Sequence, residues 1–184
     1  MPSWKFLLCS LFVLMMWGVG ACSSGSSAPA TEGARIDLAQ SAASALSGFK
    51  SDARSSKFFD TAYGWAVFPK ITKGAAGIGV AQGQGEVYQA GVMTGWVKVT
   101  SVTLGAQLGG QSFSEIIFFQ DQWAYDKFTN NQFAGQATAT AVAGKKGGGQ
   151  LADYSDGVAV FTRNNDGLIL AADVGGQQFD FTPR

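Results

Sequence analysis

The chain has 184 residues, with 13 Lys plus Arg balanced by 13 Asp plus Glu, and it contains no histidine. A formal charge of zero excludes a global electrostatic pull toward nucleic acid. The missing imidazole excludes Ser-His-Asp and Cys-His nucleophiles, HExxH zinc sites and the commonest general base. Only 14% of residues are charged, whereas Gly reaches 25 and Phe 14, a balance that fits a folded β-rich chain with an apolar skin and not a disordered one. The length allows one domain with a full core.

Residues 1–21 read as an export signal. Met1–Lys5 carries one positive charge, and Phe6–Val19 is an apolar run too short for a retained membrane span. Val19-Gly20-Ala21-Cys22 resembles a bacterial lipobox, in which Cys22 is acylated after cleavage; an ordinary secretory peptide with a chance cysteine is the alternative. Cys9 would leave with the peptide, so the folded part has no disulfide, thiolate metal site or thiol nucleophile. The expectation is a lipid-anchored protein of the bacterial envelope facing the periplasm. Ser23, with no aspartate after the cysteine, points to the outer membrane in bacteria that sort this way. Each buried methylene contributes ~0.8 kcal/mol and each lysine near anionic headgroups ~1 kcal/mol, so acyl chains would hold the protein and side chains would orient it. Residues 22–34, small and polar, read as a flexible tether whose Ser23–Ala34 stretch would span roughly 20 Å root-mean-square. The domain is then 35–184.

From Arg35 to Asp60, Ile36, Ala39, Ala43, Leu46 and Ala53 recur at helical spacing, which predicts one or two helices broken or loosened near Gly48, with an Ala-rich face on the sheet. Lys50, Arg54 and Lys57 fall on one stripe beside Phe58-Phe59. Such a stripe suits a lipid headgroup layer, or, more plainly, a solvated face whose last turn favours cations.

Next come short apolar runs punctuated by glycine, the pattern of an antiparallel sheet with tight corners. Trp65–Phe68 is a strand stopped by Pro69, with a corner over Lys70–Gly74. Ala75–Ala81 runs out again, and Gln82-Gly83-Gln84-Gly85 turns. Glu86–Met93 is the next strand, Gly95 a break, and Trp96–Thr100 and Ser101–Leu108 follow, the last with period two. Ser114–Gln120, mostly apolar, is covered on both faces. Asp121 caps a short helix to Asn130 with Trp123 and Phe128 inward. Phe133–Ala143 is a further strand and 144–149 a hinge.

Gly64–Lys70 and Gly157–Arg163 align at an offset of 93 without gaps, through Ala-Val-Phe and a retained cation. Two similar hairpins follow, related by approximate symmetry in one curved sheet or barrel. The fold class is α+β: an N-terminal helix or helix pair packed on a strongly curved antiparallel sheet or partly closed barrel, with one short inserted helix.

Chemistry is sparse. Lys73–Gly79 and Gly144–Gly149 match neither GxxxxGK[ST] nor GxGxxG, and glycine at strand corners explains both. Glu86, Glu115, Asp121 and Asp126 supply carboxylates for glycosidic work, but no spacing pairs them. Trp65, Trp96 and Trp123 read as core. A transmembrane barrel is disfavoured by short, interrupted strands and a C-terminal arginine.

From about Ala43 to Phe181 the chain resembles the SYLF family, a lipid-binding domain also described in fungi as actin-binding. The residues concerned are Ala66-Val67-Phe68-Pro69, Thr72-Lys73-Gly74, Gly109-Gly110-Gln111-Ser112, Phe118-Phe119-Gln120 and Tyr154-Ser155. The resemblance implies a non-enzymatic, cofactor-free domain that binds anionic headgroups, with Lys73-Gly74 matching the family's Lys-Gly pair. For an exported bacterial protein phosphatidylglycerol or cardiolipin replaces phosphoinositide, and actin does not carry over. The expected headgroup contacts are Lys50, Arg54, Lys57, Lys70, Lys73 and Gly74, with Cys22 as anchor and no metal site. The rival reading is an envelope scaffold lipoprotein whose sheet meets a protein partner.

Overall fold

The computed structural model of the protein describes residues 25–73, 78–104, 111–132, 153–164, 167–170 and 177–184. Helices α1 (Glu32–Lys50), α2 (Ala53–Ser56) and α3 (Phe58–Thr61) lead into strands β1 (Gly64–Lys73), β2 (Ile78–Gln89), β3 (Val92–Leu104) and β4 (Gln111–Phe119). Helix α4 (Gln122–Thr129) and strands β5 (Val158–Asn164), β6 (Gly167–Leu170) and β7 (Gln177–Pro183) complete the described elements. All seven strands join one antiparallel sheet in the order β6-β5-β4-β1-β2-β3-β7. The α+β architecture expected from the sequence is the one observed. Residues 133–152, expected to hold a strand and a hinge, lie outside the described residues, as do Cys22 and Gly74.

The sheet is apolar on both faces. On the helix side Ala42 and Phe49 of α1 and Phe58 of α3 pack on Trp65, Val67, Ile116, Phe118, Ala159 and Phe161. On the other face α4 contributes Ala124, Tyr125 and Phe128 to a core with Phe68, Ile71, Val87, Val97, Ile117, Phe119, Val160 and Phe179. Phe68 of β1 and Phe179 of β7 have ring centroids 5.8 Å apart, although β2 and β3 lie between their strands. Three flat strand spacings would separate them by about 14 Å, so the sheet curls strongly around this second core. Among the described residues it ends in β6 and β7 and does not close.

Several local features depart from the sequence pattern for physical reasons. Alanine occurs all round α1 and gives no contrast between faces; the buried side is Ala42, Phe49 and the flanks of Ala45 and Leu46, while Ile36, Ala39, Ala43 and Ala53 are exposed. Helix α1 runs through Gly48 and ends at Ser51, and Asp52 then caps α2 by accepting from the Arg54 amide at 3.0 Å. Pro69 does not stop β1. The strand carries one extra residue there, against both β2 and β4, and a bulge needs no ladder hydrogen bond from proline. The Asp121 cap is present, accepting from Ala124 N at 2.9 Å, but Trp123 is 62% exposed and only Phe128 of that pair is buried.

The glycines read as turns are packing sites. Gly83 and Gly85 lie inside β2 and Gly95 inside β3; a Cβ on Gly83 would meet the Lys70 carbonyl oxygen at 2.8 Å, one on Gly85 the Val67 carbonyl and the Phe68 ring, and one on Gly95 the Phe181 ring. The real corner after β2 is Ala90-Gly91, both at positive φ, as a two-residue hairpin of this hand requires. Gly85→Ala is therefore expected to cost about 1–3 kcal/mol by overpacking. Gly33→Ala, where a Cβ meets nothing within 4 Å, should be neutral or stabilising by up to ~1 kcal/mol. Urea unfolding of the two variants checks the ordering.

Candidate functional site

The internal repeat acquires a geometric meaning in the sheet. Strands β1 and β5 flank β4, one on each side, both antiparallel to it and hence parallel to each other. Their equivalent residues face opposite ways: Ala66 and Phe68 look into the α4-side core, Ala159 and Phe161 into the helix side. The two copies are thus related by an approximate twofold axis along β4.

The bulge at Pro69 then changes which side the cations take. Beyond it Ile71 faces the α4 side, so Lys70 points to the helix side. Arg163, two residues beyond Phe161, points there as well. Cross-strand pairing places Arg163 beside Ser114, Ser114 opposite the bulge, Lys70 beside Gln84, Gln84 beside Lys98 and Lys98 beside Asp180. A polar row thus crosses six strands on one face, just beyond the aromatic cluster.

Where this row meets the C-terminal half of α1 there is a groove of ≈ 720 Å³, lined by Gln40, Ser41, Ser44, Lys70, Ser114 and Arg163, with Gly48 and Pro69 at its walls. The Arg163 guanidinium lies directly against Gly48, in the space any side chain there would fill. Ser114 donates its hydroxyl to the Arg163 carbonyl at 3.3 Å. Arg163 was legible in the sequence as the cation retained in the repeat, yet only the register makes it a neighbour of Lys70.

The other candidates are distributed around this groove. Lys50 at the end of α1 stands over the Phe59 ring at 5.3 Å and Lys57 over Phe58 at 5.2 Å. Arg54 is engaged bidentately by Asp52, with both contacts at 3.0 Å. That pair holds the Asp52 carboxyl below the usual carboxylate range. The break at Ser51-Asp52 means that Lys50, Arg54 and Lys57 do not form one continuous helical stripe. Phe58 and Phe59 are not available to a headgroup layer: Phe58 stacks on Phe118 at 5.3 Å and meets Phe161 and Tyr154 edge-on, and Phe59 packs on Trp65 and Phe118.

Lys73 faces the opposite way. Its ammonium lies 5.3 Å from the Phe113 ring on the α4 side, where Glu115 is fully buried and accepts from Gln177 Nε2 at 3.4 Å. Lys70 and Lys73 are therefore separated by the sheet. The carboxylates do not converge either. Glu86 lies on the helix side, accepting the Tyr88 hydroxyl at 2.6 Å beside a smaller groove of ≈ 330 Å³ under the start of α1, while Asp121 is a cap and Asp126 is exposed on α4. No described helix is long and apolar enough to cross a membrane.

The chain is similar to Beta cell expansion factor A of Aeromonas veronii, with 30% identity over 154 residues, covering 79% of this chain and 56% of that protein. It thus spans about half the length of the curated relative it matches. No family model matches the chain.

Glu115 makes the α4-side core sensitive to pH. Burial pushes its carboxyl up to about 7, opposed by the Gln177 hydrogen bond and the Lys73 charge. In the folded protein it holds a proton that the unfolded chain releases near the ordinary value of 4.5. The associated stability is fully present below that value and is lost as pH rises to about 7, a change on the order of 3 kcal/mol. The melting temperature is expected to fall across this window, and Glu115→Gln to flatten the profile; thermal melts between pH 4.5 and 8 test both.

Proposed function

We propose that the protein is a SYLF-like, non-catalytic domain of the bacterial envelope, held to the membrane by lipid on Cys22 and contacting anionic phospholipid with its helix-covered face. The observation that carries this reading is the polar row of Arg163, Ser114, Lys70, Gln84 and Lys98 on that face, with Lys50, Arg54 and Lys57 on the helices that cover it. The similarity to Beta cell expansion factor A, extending over 79% of the chain and 56% of that protein, supports a relationship across most of this chain.

The residues that carry the family resemblance have identifiable structural work. Ala66–Pro69 supplies both cores and the bulge, Phe118 is the hub of the helix-side aromatic cluster, and Tyr154 closes its edge. A pattern of this kind keeps the face in shape and leaves the ligand to the cations around it. The contact surface we propose therefore comprises Lys50, Arg54, Lys57 and Lys70 and adds Lys98 and Arg163. Lys73, across the sheet, does not belong to it.

The chain from Ser23 onward retains every described element and lacks the acyl acceptor. It is expected to float with vesicles containing phosphatidylglycerol, to be released by salt, and to ignore neutral phosphatidylcholine vesicles. Lys50→Ala and Lys98→Ala should each weaken partition roughly fivefold, the equivalent of ~1 kcal/mol per surface cation. Partition indifferent to lipid charge, or none at all, would sink the reading and leave acylated Cys22 as the sole attachment, with the sheet free for a protein partner.

A further inference from the structure

We propose that the groove between the C-terminal half of α1 and strands β1, β4 and β5 is a stoichiometric site for one phosphoryl group carried on a small polyol, gripped from two sides by Lys70 and Arg163. It rests on the lipid-contact reading only in taking a glycerophospholipid headgroup as the source of that phosphoryl group; the site itself follows from the groove.

The first support is the register. The two strands that share Ala-Val-Phe present opposite faces, so unbroken alternation would send Lys70 after Phe68 to the α4 side and Arg163 after Phe161 to the helix side. One extra residue at Pro69 brings Lys70 back to the side of Arg163. Bulges are a recurrent means of re-aiming a side chain at a site. Here the bulge converts two separated cations into a pair flanking Ser114. Their strands lie two spacings apart, about 10 Å at the backbone, a gap that two long cationic side chains can close around a single tetrahedral anion.

Charge and space give the second support. Among the described residues neither Lys70 nor Arg163 makes an ion pair. Asp52, at the end of α1, is already engaged by both Arg54 hydrogen bonds and by its own cap, and Glu115, next in sequence to Ser114, is buried on the opposite face. Two like charges face one groove and no carboxylate lines it, the nearest counter-charge being Asp52, whose carboxyl feels the Arg163 charge but is held by Arg54 first. Gly48 keeps the groove open exactly where the guanidinium enters. Beside Ala45 and Pro69, the remaining lining of Gln40, Ser41, Ser44 and Ser114 offers hydroxyl and amide groups, which suit the oxygens of a glycerol moiety. An arginine fork with a lysine point charge suits a phosphoryl group.

The test titrates the chain from Ser23 onward with inorganic phosphate and with glycerol phosphate by calorimetry, beside flotation on phosphatidylglycerol vesicles. Saturable one-to-one binding is expected, tighter for glycerol phosphate than for inorganic phosphate. Lys70→Ala and Arg163→Ala should each weaken it roughly 10- to 100-fold, as loss of a charge-assisted hydrogen bond does. Gly48→Ala should weaken it by crowding the guanidinium, and Lys127→Ala, on α4 across the sheet, should leave it unchanged. Saturation by glycerol phosphate without vesicle binding would uphold the groove and remove the membrane as its source. Vesicle binding with no saturable soluble ligand, or affinity unaffected by Arg163→Ala in a variant that melts normally, would overturn the groove while sparing the surface contact. Failure of both assays would overturn both.

Discussion

One extra residue in the central strand sets the arrangement of this domain. At Pro69 the register of β1 slips by one against both neighbours, and a strand with two partners can bulge only where both have room. On the β2 side that room comes from Gly83 and Gly85, whose missing side chains admit the Lys70 and Val67 carbonyls and the Phe68 and Ile71 side chains. The bulge reverses the alternation of β1 halfway along. Its first half gives Trp65 and Val67 to the helix side and Ala66 and Phe68 to the other core. Its second half keeps Ile71 in that other core and turns Lys70 toward the helices. A regular strand would have put Lys70 in an apolar interior, where an unpaired ammonium is costly.

Packing on the two faces divides the work between them. The helix side is held by aromatic contacts centred on Phe58, Phe118 and Phe161, each pair with ring centroids about 5–6 Å apart, and its polar row lies beyond the edge of that cluster. The α4 side is enclosed by the curl of the sheet, with Phe128 bridging Phe119 and Phe179 at 4.8 and 4.9 Å. Glu115 is buried on that side, and its carboxyl is pushed up to about 7. Lys70, Lys98 and Arg163 on the helix side stay exposed to water. A face that grips anions can therefore be built on the helix side without the desolvation penalty paid opposite.

Much of this was legible in the sequence because it depended on local pattern. The antiparallel sheet, the helical lead, the Asp121-capped helix and the repeat could all be read from residue type and spacing. What escaped depended on contacts between strands. Gly83, Gly85 and Gly95 have the same letters as turn glycines, but their role is set by the carbonyls and rings opposite them. The buried face of α1 escaped because alanine looks the same on either side, until Phe49 picks the face. Lys70 and Lys73, three residues apart, read as one corner, whereas they lie in one regularly paired strand segment whose alternation sends them to opposite sides. Arg163 carried a signal, its match to Lys70 at the repeat offset, but sequence alone could not say that the two strands would flank a third.

The segment before α1 bears on how such a face would meet a membrane. Ser27 is buried: its amide donates to Thr182 Oγ1 at 2.9 Å, its hydroxyl to the Asp180 carbonyl at 2.5 Å, and Gln84 Nε2 reaches its carbonyl at 3.4 Å. The stretch expected to be a free tether is thus fastened on the helix side, on Gln84 of the polar row, the cross-strand neighbour of Lys70. Four residues lie between Cys22 and Ser27, so the Cys22 backbone could lie no more than ~18 Å from that of Ser27. A twelve-residue free coil would have let the domain present any face to the bilayer. A stub pinned to β7 and Gln84 would restrict the choice to the face that carries the cations. Acyl chains would then supply the holding energy, and the groove would have only to select among headgroups already within reach, a task for which the modest affinity of one phosphoryl contact is enough.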